Sequence, residues 1–135
     1  MKAEQIALVQ TTFAKVEPIA QETGDLFYSR LFEIDPAIRP LFKGDLKTQA
    51  LMLMTVIGLA VRGLNRPDAI VESIRTLGAR HSGYGVGTGD YNTFGAALIW
   101  ALEQSMGNDF TPEVKDAWVE AYGVLSDAMK KATKN

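Results

Sequence analysis

The sequence predicts an all-α protein, and three observations carry that prediction. Apolar residues recur every three or four positions in segment after segment, proline and glycine punctuate the chain between those segments, and no stretch alternates apolar with polar residues as a half-buried strand would. The first helix is read over about residues 4–17, with Ile6, Val9, Phe13 and Val16 on one face until Pro18 removes a backbone donor. A second helix, about 19–34, carries Leu26, Phe27, Tyr28, Leu31 and Phe32. Asp35-Pro36 pairs a cap with a first-turn proline and opens a short helical piece that Pro40 and Gly44 keep short. The next helix, about 45–62, contains twelve weakly polar residues from Ala50 to Val61, too few to span a bilayer and read as buried on nearly all sides.

Asn65-Arg66-Pro67-Asp68 repeats the start signal, and the helix that it opens places Ile70, Ile74, Leu77 and His81 on one inward stripe. Glycines 83, 85, 87 and 89 end that helix, Asp90 is placed to cap the next, and Phe94, Leu98, Ala101 and Leu102 line its apolar face as far as Met106. Gly107-Asn108 then stops it. Thr111-Pro112-Glu113 opens a last helix with the stripe Val114, Trp118, Ala121, Tyr122, Leu125 and Met129, and with Lys130, Lys131 and Lys134 near the negative end of its dipole.

Composition bounds what such a chain does. Its 135 residues are expected to form one domain, residues 1–135, and 47% apolar against 22% charged residues are enough for a real core. A net charge of -2 and a pI near 5.4 leave no basic excess to hold a phosphate backbone, so nucleic acid is not an expected partner. With no cysteine, disulfides, thiolate catalysis and cysteine metal sites are excluded. The polar, acidic start does not read as a secretion signal, so the expected location is cytoplasmic, without membrane insertion.

The residues permit little covalent chemistry. Gly83-Tyr84-Gly85-Val86-Gly87-Thr88-Gly89 follows a helix and fits neither the dinucleotide nor the Walker spacing, so a helix connection is the better reading. Ser82 lies about 100° round the helix from His81 and cannot serve it as a nucleophile. Glu72 and Glu103 fall on polar faces as solvated charges. His81 is either a satisfied core residue or a ligand, and one histidine cannot build a zinc site. It can hold a planar haem, because a porphyrin supplies four nitrogens and the protein adds one axial bond. A haem needs an opposite wall. The 45–62 helix offers Gln49 with Leu53 on the same face, and the second helix offers Tyr28; on pattern alone a surface amide and a core phenol are the better reading.

Phe27-Tyr28-Ser29-Arg30-Leu31-Phe32, Pro36-Ala37-Ile38-Arg39-Pro40-Leu41-Phe42, His81 with Tyr84-Gly85-Val86, Tyr91, Ala117-Trp118 and Ala121-Tyr122-Gly123 follow one another in an order and at separations that resemble the single-domain bacterial globins. The likeness is to the branch that holds the Vitreoscilla-type haemoglobins and the flavohaemoglobin globin domains, and it covers nearly the whole chain. It implies the globin fold, a three-over-three helical sandwich around one haem b (iron protoporphyrin IX). It makes His81 the proximal iron ligand and Phe42 the ring stacked on the porphyrin. Tyr28, Gln49 and Leu53 become the distal positions, Val86, Tyr91 and Phe94 the proximal and edge lining, and Trp118 and Tyr122 core aromatics behind them. Arg39 and Arg80 are candidates for reaching the haem propionates.

The function implied first is reversible binding of O2, and of NO, CO or other small haem ligands, at a five-coordinate or weakly six-coordinate iron. Tyr28 and Gln49 stabilise the bound ligand in that reading. The alternative is nitric oxide dioxygenation; gas sensing ranks below both. One departure bears on the choice. The glutamate that this branch pairs with its proximal histidine falls at Thr133, so His81 is expected to bond a backbone carbonyl instead, which makes it a less basic ligand and weakens peroxidase-like chemistry. With the sequence ending at residue 135, no fused flavin reductase is expected, and turnover is expected to draw on a separate one.

Overall fold

The structure is a computed structural model that describes residues 2–41, 45–66, 68–69, 72 and 91–133. Five α-helices run through those residues: α1 (Ala3–Val16), α2 (Ala20–Ile34), α3 (Leu46–Arg62), α4 (Tyr91–Met106) and α5 (Pro112–Thr133). Short 3-10 turns cover Glu17–Ile19, Pro36–Leu41 and Gly107–Asp109, and no strand occurs among the described residues. None of the described helices is long and apolar enough to cross a membrane.

Each helix starts and stops for a local reason. Pro18 interrupts the donor ladder, and the chain tightens into a 3-10 turn rather than breaking, so α2 begins at Ala20 and not at 19. Asp35 caps the following turn through Ala37 N–H at 3.1 Å. Asp45 caps α3 by accepting from Lys47 N–H at 3.1 Å and from the Thr48 hydroxyl at 2.9 Å, which contributes about 1 kcal/mol to an otherwise unsatisfied helix start. Gly107 ends α4 at φ +57°, a conformation that a side chain would strain. The Thr111 hydroxyl accepts from Val114 N–H at 3.2 Å to open α5. Asp68 and Ala69 are helical, with Ala69 N–H bonded to the Arg66 carbonyl at 3.0 Å, where the start signal stands. Glu72 is helical and exposed as well; the other residues of that predicted helix after Ala69, and the four glycines that follow, lie outside the described residues.

The core is built where α2 packs against α3 and α4 and where α1 packs against α5. Phe27, Leu31, Ile57 and Leu102 are buried between the first set, and Val9, Val16 and Trp118 between the second. Two buried polar links tie distant helices together. The Thr12 hydroxyl donates to the Leu8 carbonyl at 2.7 Å and accepts from Trp118 Nε1 at 2.9 Å; the fully buried Thr23 hydroxyl lies 2.7 Å from that of Ser105. In each case a polar atom enters the core together with its partner, which removes most of the cost of burying it.

The expectation that α3 is buried on nearly all sides holds except along one stripe. Leu51 is 47% and Leu59 37% exposed, and Thr55 and Arg62 share that outer face. No described helix covers that face, and α3 buries Ala50, Met54, Ile57 and Val61 on the other. Low polarity over twelve residues does not distinguish a fully enclosed helix from one whose outer stripe happens to be apolar.

Candidate functional site

The candidate site begins at the crossing of α2 and α3. Gly24 is in mid-helix, where glycine costs about 1 kcal/mol relative to alanine, so its place there calls for a reason. A Cβ at Gly24 would stand 2.7 Å from Ala50 Cβ and 3.0 Å from the Ala50 carbonyl oxygen. Only glycine lets the two backbones approach this closely. Tyr28 lies one turn beyond Gly24 on the same side of α2, Leu53 lies one turn beyond Ala50 on α3, and Gln49 immediately precedes Ala50.

Tyr28 is 7% exposed within an aromatic run. Its ring meets the Phe27 ring edge-on at 5.0 Å and 79°, and the Phe32 ring at 5.9 Å and 32°. Phe27 in turn meets Phe94 of α4 at 5.7 Å and 70°. Such edge-to-face pairs contribute about 0.5–1.5 kcal/mol each beyond their burial, so they hold the ring of Tyr28 in one orientation. Two of the sequence-derived site residues, Tyr28 and Phe94, are therefore joined through a third, Phe27. Leu53 is half-buried and packed against the core. Gln49 is half-buried in the second turn of α3, and its side-chain amide makes no hydrogen bond among the described residues. Arg39 is exposed, with its guanidinium 5.3 Å from the centre of the Phe32 ring.

His81, Phe42, Val86 and Arg80 lie outside the described residues, and so do Ser82 and the glycine stretch. Of Tyr91 and Thr133 only the backbone is described, as the first residue of α4 and the last of α5. Trp118 is 1% exposed, and the Tyr122 ring sits where a Cβ on Gly95 would meet it at 2.7 Å. Both are the core aromatics that the stripe of α5 predicts. Among the described residues no group of three or more His, Cys, Asp or Glu side chains could hold a metal ion.

Sequence reasoning missed Gly24 and Phe27. Gly24 leaves a faint signal, a glycine inside a helix one turn before a candidate phenol. Phe27 leaves none, because its value lies in joining Tyr28 to a ring on another helix.

A buried aromatic run that carries one phenol, with a half-buried amide on the helix that crosses it, has the chemistry that suits a flat, largely apolar cofactor. A family model described as Globin matches residues 25–129. The chain is 28% identical over 118 residues to a flavohemoprotein of Bacillus subtilis, over 82% of this chain and 30% of that protein. It is 29% identical over 122 residues to a neuroglobin of Danio rerio, over 80% of this chain and 77% of that one.

Proposed function

The chain belongs to the globin family, all-α haem-binding proteins, and we propose that it reversibly binds dioxygen and other diatomic gases at one haem b seated between α3 and the segment from about Pro67 to Arg80. Haem supplies an iron at which a diatomic gas can be held. His81 supplies the imidazole on the proximal side, and Phe42 packs on the porphyrin. Val86, Tyr91 and Phe94 line the proximal face and the edge. On the distal side Tyr28 and Gln49 present hydrogen-bond donors toward the gas, and Leu53 helps to exclude water. The residues are read as one globin domain over 1–135, and the reading places the protein in the cytoplasm.

The observation that carries the reading is the setting of Tyr28, a phenol 7% exposed in an otherwise apolar aromatic wall. A phenol shielded from water and oriented by its neighbours suits ligand stabilisation, since a hydrogen bond gains strength where water is excluded. Hemin titrated into the haem-free protein is expected to produce a Soret band that saturates at one equivalent and changes in His81→Ala. If no Soret band develops, or the band is the same in the variant, the assignment is overturned.

The likeness to a flavohemoprotein favours a second reading, nitric oxide dioxygenation. The chain spans about 30% of that protein's length, and in this reading electrons come from a separate reductase. The two readings part on stoichiometry. With a cellular reductase extract and air, a gas binder consumes one equivalent of nitric oxide per haem and stops, whereas a dioxygenase continues.

A further inference from the structure

We propose that Phe27 is a positioning residue for gas retention: wedged between α2 and α4, it fixes the Tyr28 donor and makes the strength of that donor depend on Phe94 of the other helix. The proposal rests on the reading above, in which Tyr28 faces the bound gas. Phe27 is 2% exposed and meets two rings edge-on, Tyr28 at 5.0 Å and 79° and Phe94 at 5.7 Å and 70°. Phe94 is itself buried and shares the inner face of α4 with Ala97, Leu98 and Ala101.

The two neighbours of the phenol restrain it in different directions. Phe32 stands one turn beyond Tyr28 on the same side of α2, with its ring tilted against that of Tyr28 at 5.9 Å, and so blocks movement along the helix axis. Movement round the axis is a separate matter. Consecutive residues leave a helix about 100° apart, so Phe27 flanks Tyr28 and stops its swing toward the side on which α4 lies. Phe27 has no room to yield, because Phe94 backs it from α4.

A tyrosine hydroxyl is the far end of a rigid lever. A small turn about the Cα–Cβ bond carries it out of the narrow range, about 2.5–3.0 Å, in which O–H donors bond well. The flank stop therefore decides how well the donor is aimed, and a change at Phe94 reaches that donor through the Phe27 ring. Loss of one edge-to-face pair corresponds to a factor of about two to ten in an equilibrium, which sets the size of the expected effect.

Oxygen and carbon monoxide dissociation rates, measured on Soret-matched samples, test the proposal together with the NMR couplings between Hα and Hβ of Tyr28. Phe27→Leu is expected to speed oxygen release about two- to tenfold, and to leave carbon monoxide release, where the bound ligand carries little charge to hold a donor, within about twofold. Phe94→Leu is expected to speed oxygen release too, and to lose most of that effect in the Phe27→Leu background. Neither substitution should add to Tyr28→Phe. The couplings are read with and without haem, the loaded sample as its ferrous carbon monoxide form. They should show one Tyr28 rotamer in the parent and an average over several in Phe27→Leu. Phe27→Met, which packs adaptably, serves where Phe27→Leu does not fold. Oxygen release unchanged in the Phe27 variant, equal acceleration of both gases, a Phe94→Leu effect that persists without the Phe27 ring, or a single Tyr28 rotamer throughout overturns the proposal. If Tyr28→Phe itself leaves oxygen release unchanged, the reading of the site falls and takes the proposal with it; if Tyr28→Phe is fast and Phe27→Leu is not, the proposal alone falls.

Discussion

Phenylalanine in place of Tyr28 is expected to raise the oxygen dissociation rate at least about tenfold. The two side chains differ by one oxygen, and the ring at this position is held by Phe27 on one side and Phe32 on the other, so the packing should survive the change. What is lost is the donor. Dioxygen held at a haem gains partial negative charge, and a hydrogen bond to a charged acceptor is worth about 1.5–3 kcal/mol. Losing roughly 1.4 kcal/mol from the bound state alone corresponds to a factor of ten in rate. Stopped-flow displacement of oxygen, on samples matched for Soret absorbance, provides the measurement. A rate within twofold of the parent would remove Tyr28 from the ligand site while leaving the haem assignment intact.

The second large effect is on stability and has opposite signs at two glycines. Gly24→Ala adds a methyl that would lie 2.7 Å from Ala50 Cβ and 3.0 Å from the Ala50 carbonyl oxygen. Neither atom belongs to a flexible side chain that could swing away. Overpacking of this kind costs about 1–3 kcal/mol, which exceeds the gain of about 1 kcal/mol that alanine brings to a helix interior. A net loss of up to about 2 kcal/mol is expected in urea unfolding. Gly123 is exposed in α5, and a Cβ there meets nothing within 4 Å. The same substitution at that position should stabilise by up to about 1 kcal/mol. Equal shifts at the two sites would mean that the α2–α3 crossing does not require its glycine. The crossing also bears on the site, since Tyr28 and Leu53 each stand one turn from it. Gly24→Ala is therefore expected to speed oxygen release as well, and to lose most of that effect in the Tyr28→Phe background.

Much of this architecture is legible in the residues, because helices advertise their ends. Asp35 and Thr111 make the caps that their positions announce, and Gly107 adopts the positive φ that stops α4. The inward faces are legible for the same reason: Val9, Phe13, Tyr28, Leu31, Phe94 and Leu98 are buried, as a period of 3.6 requires. Two things are not legible. Whether a weakly polar face meets another helix depends on what packs there, so the outer stripe of α3 reads as core and is half in water. A close approach between two backbones leaves no periodic trace, so the meeting of Gly24 and Ala50 appears only in three dimensions. Of the candidate site, the placement of Tyr28 and Phe94 follows from helical spacing. The roles of His81, Phe42 and Val86 rest on the family likeness and on the chemistry of a single imidazole.

The hydrogen bond from Trp118 to Thr12 joins residues 106 positions apart. During synthesis α1 leaves the ribosome long before Trp118 has been made, and it waits with Phe13 lacking its tilted partner ring, which also belongs to Trp118, at 6.1 Å. Final consolidation of the nascent chain is thus postponed until most of α5 has emerged, and a stalled or shortened polypeptide would present an apolar first helix to chaperones and proteases.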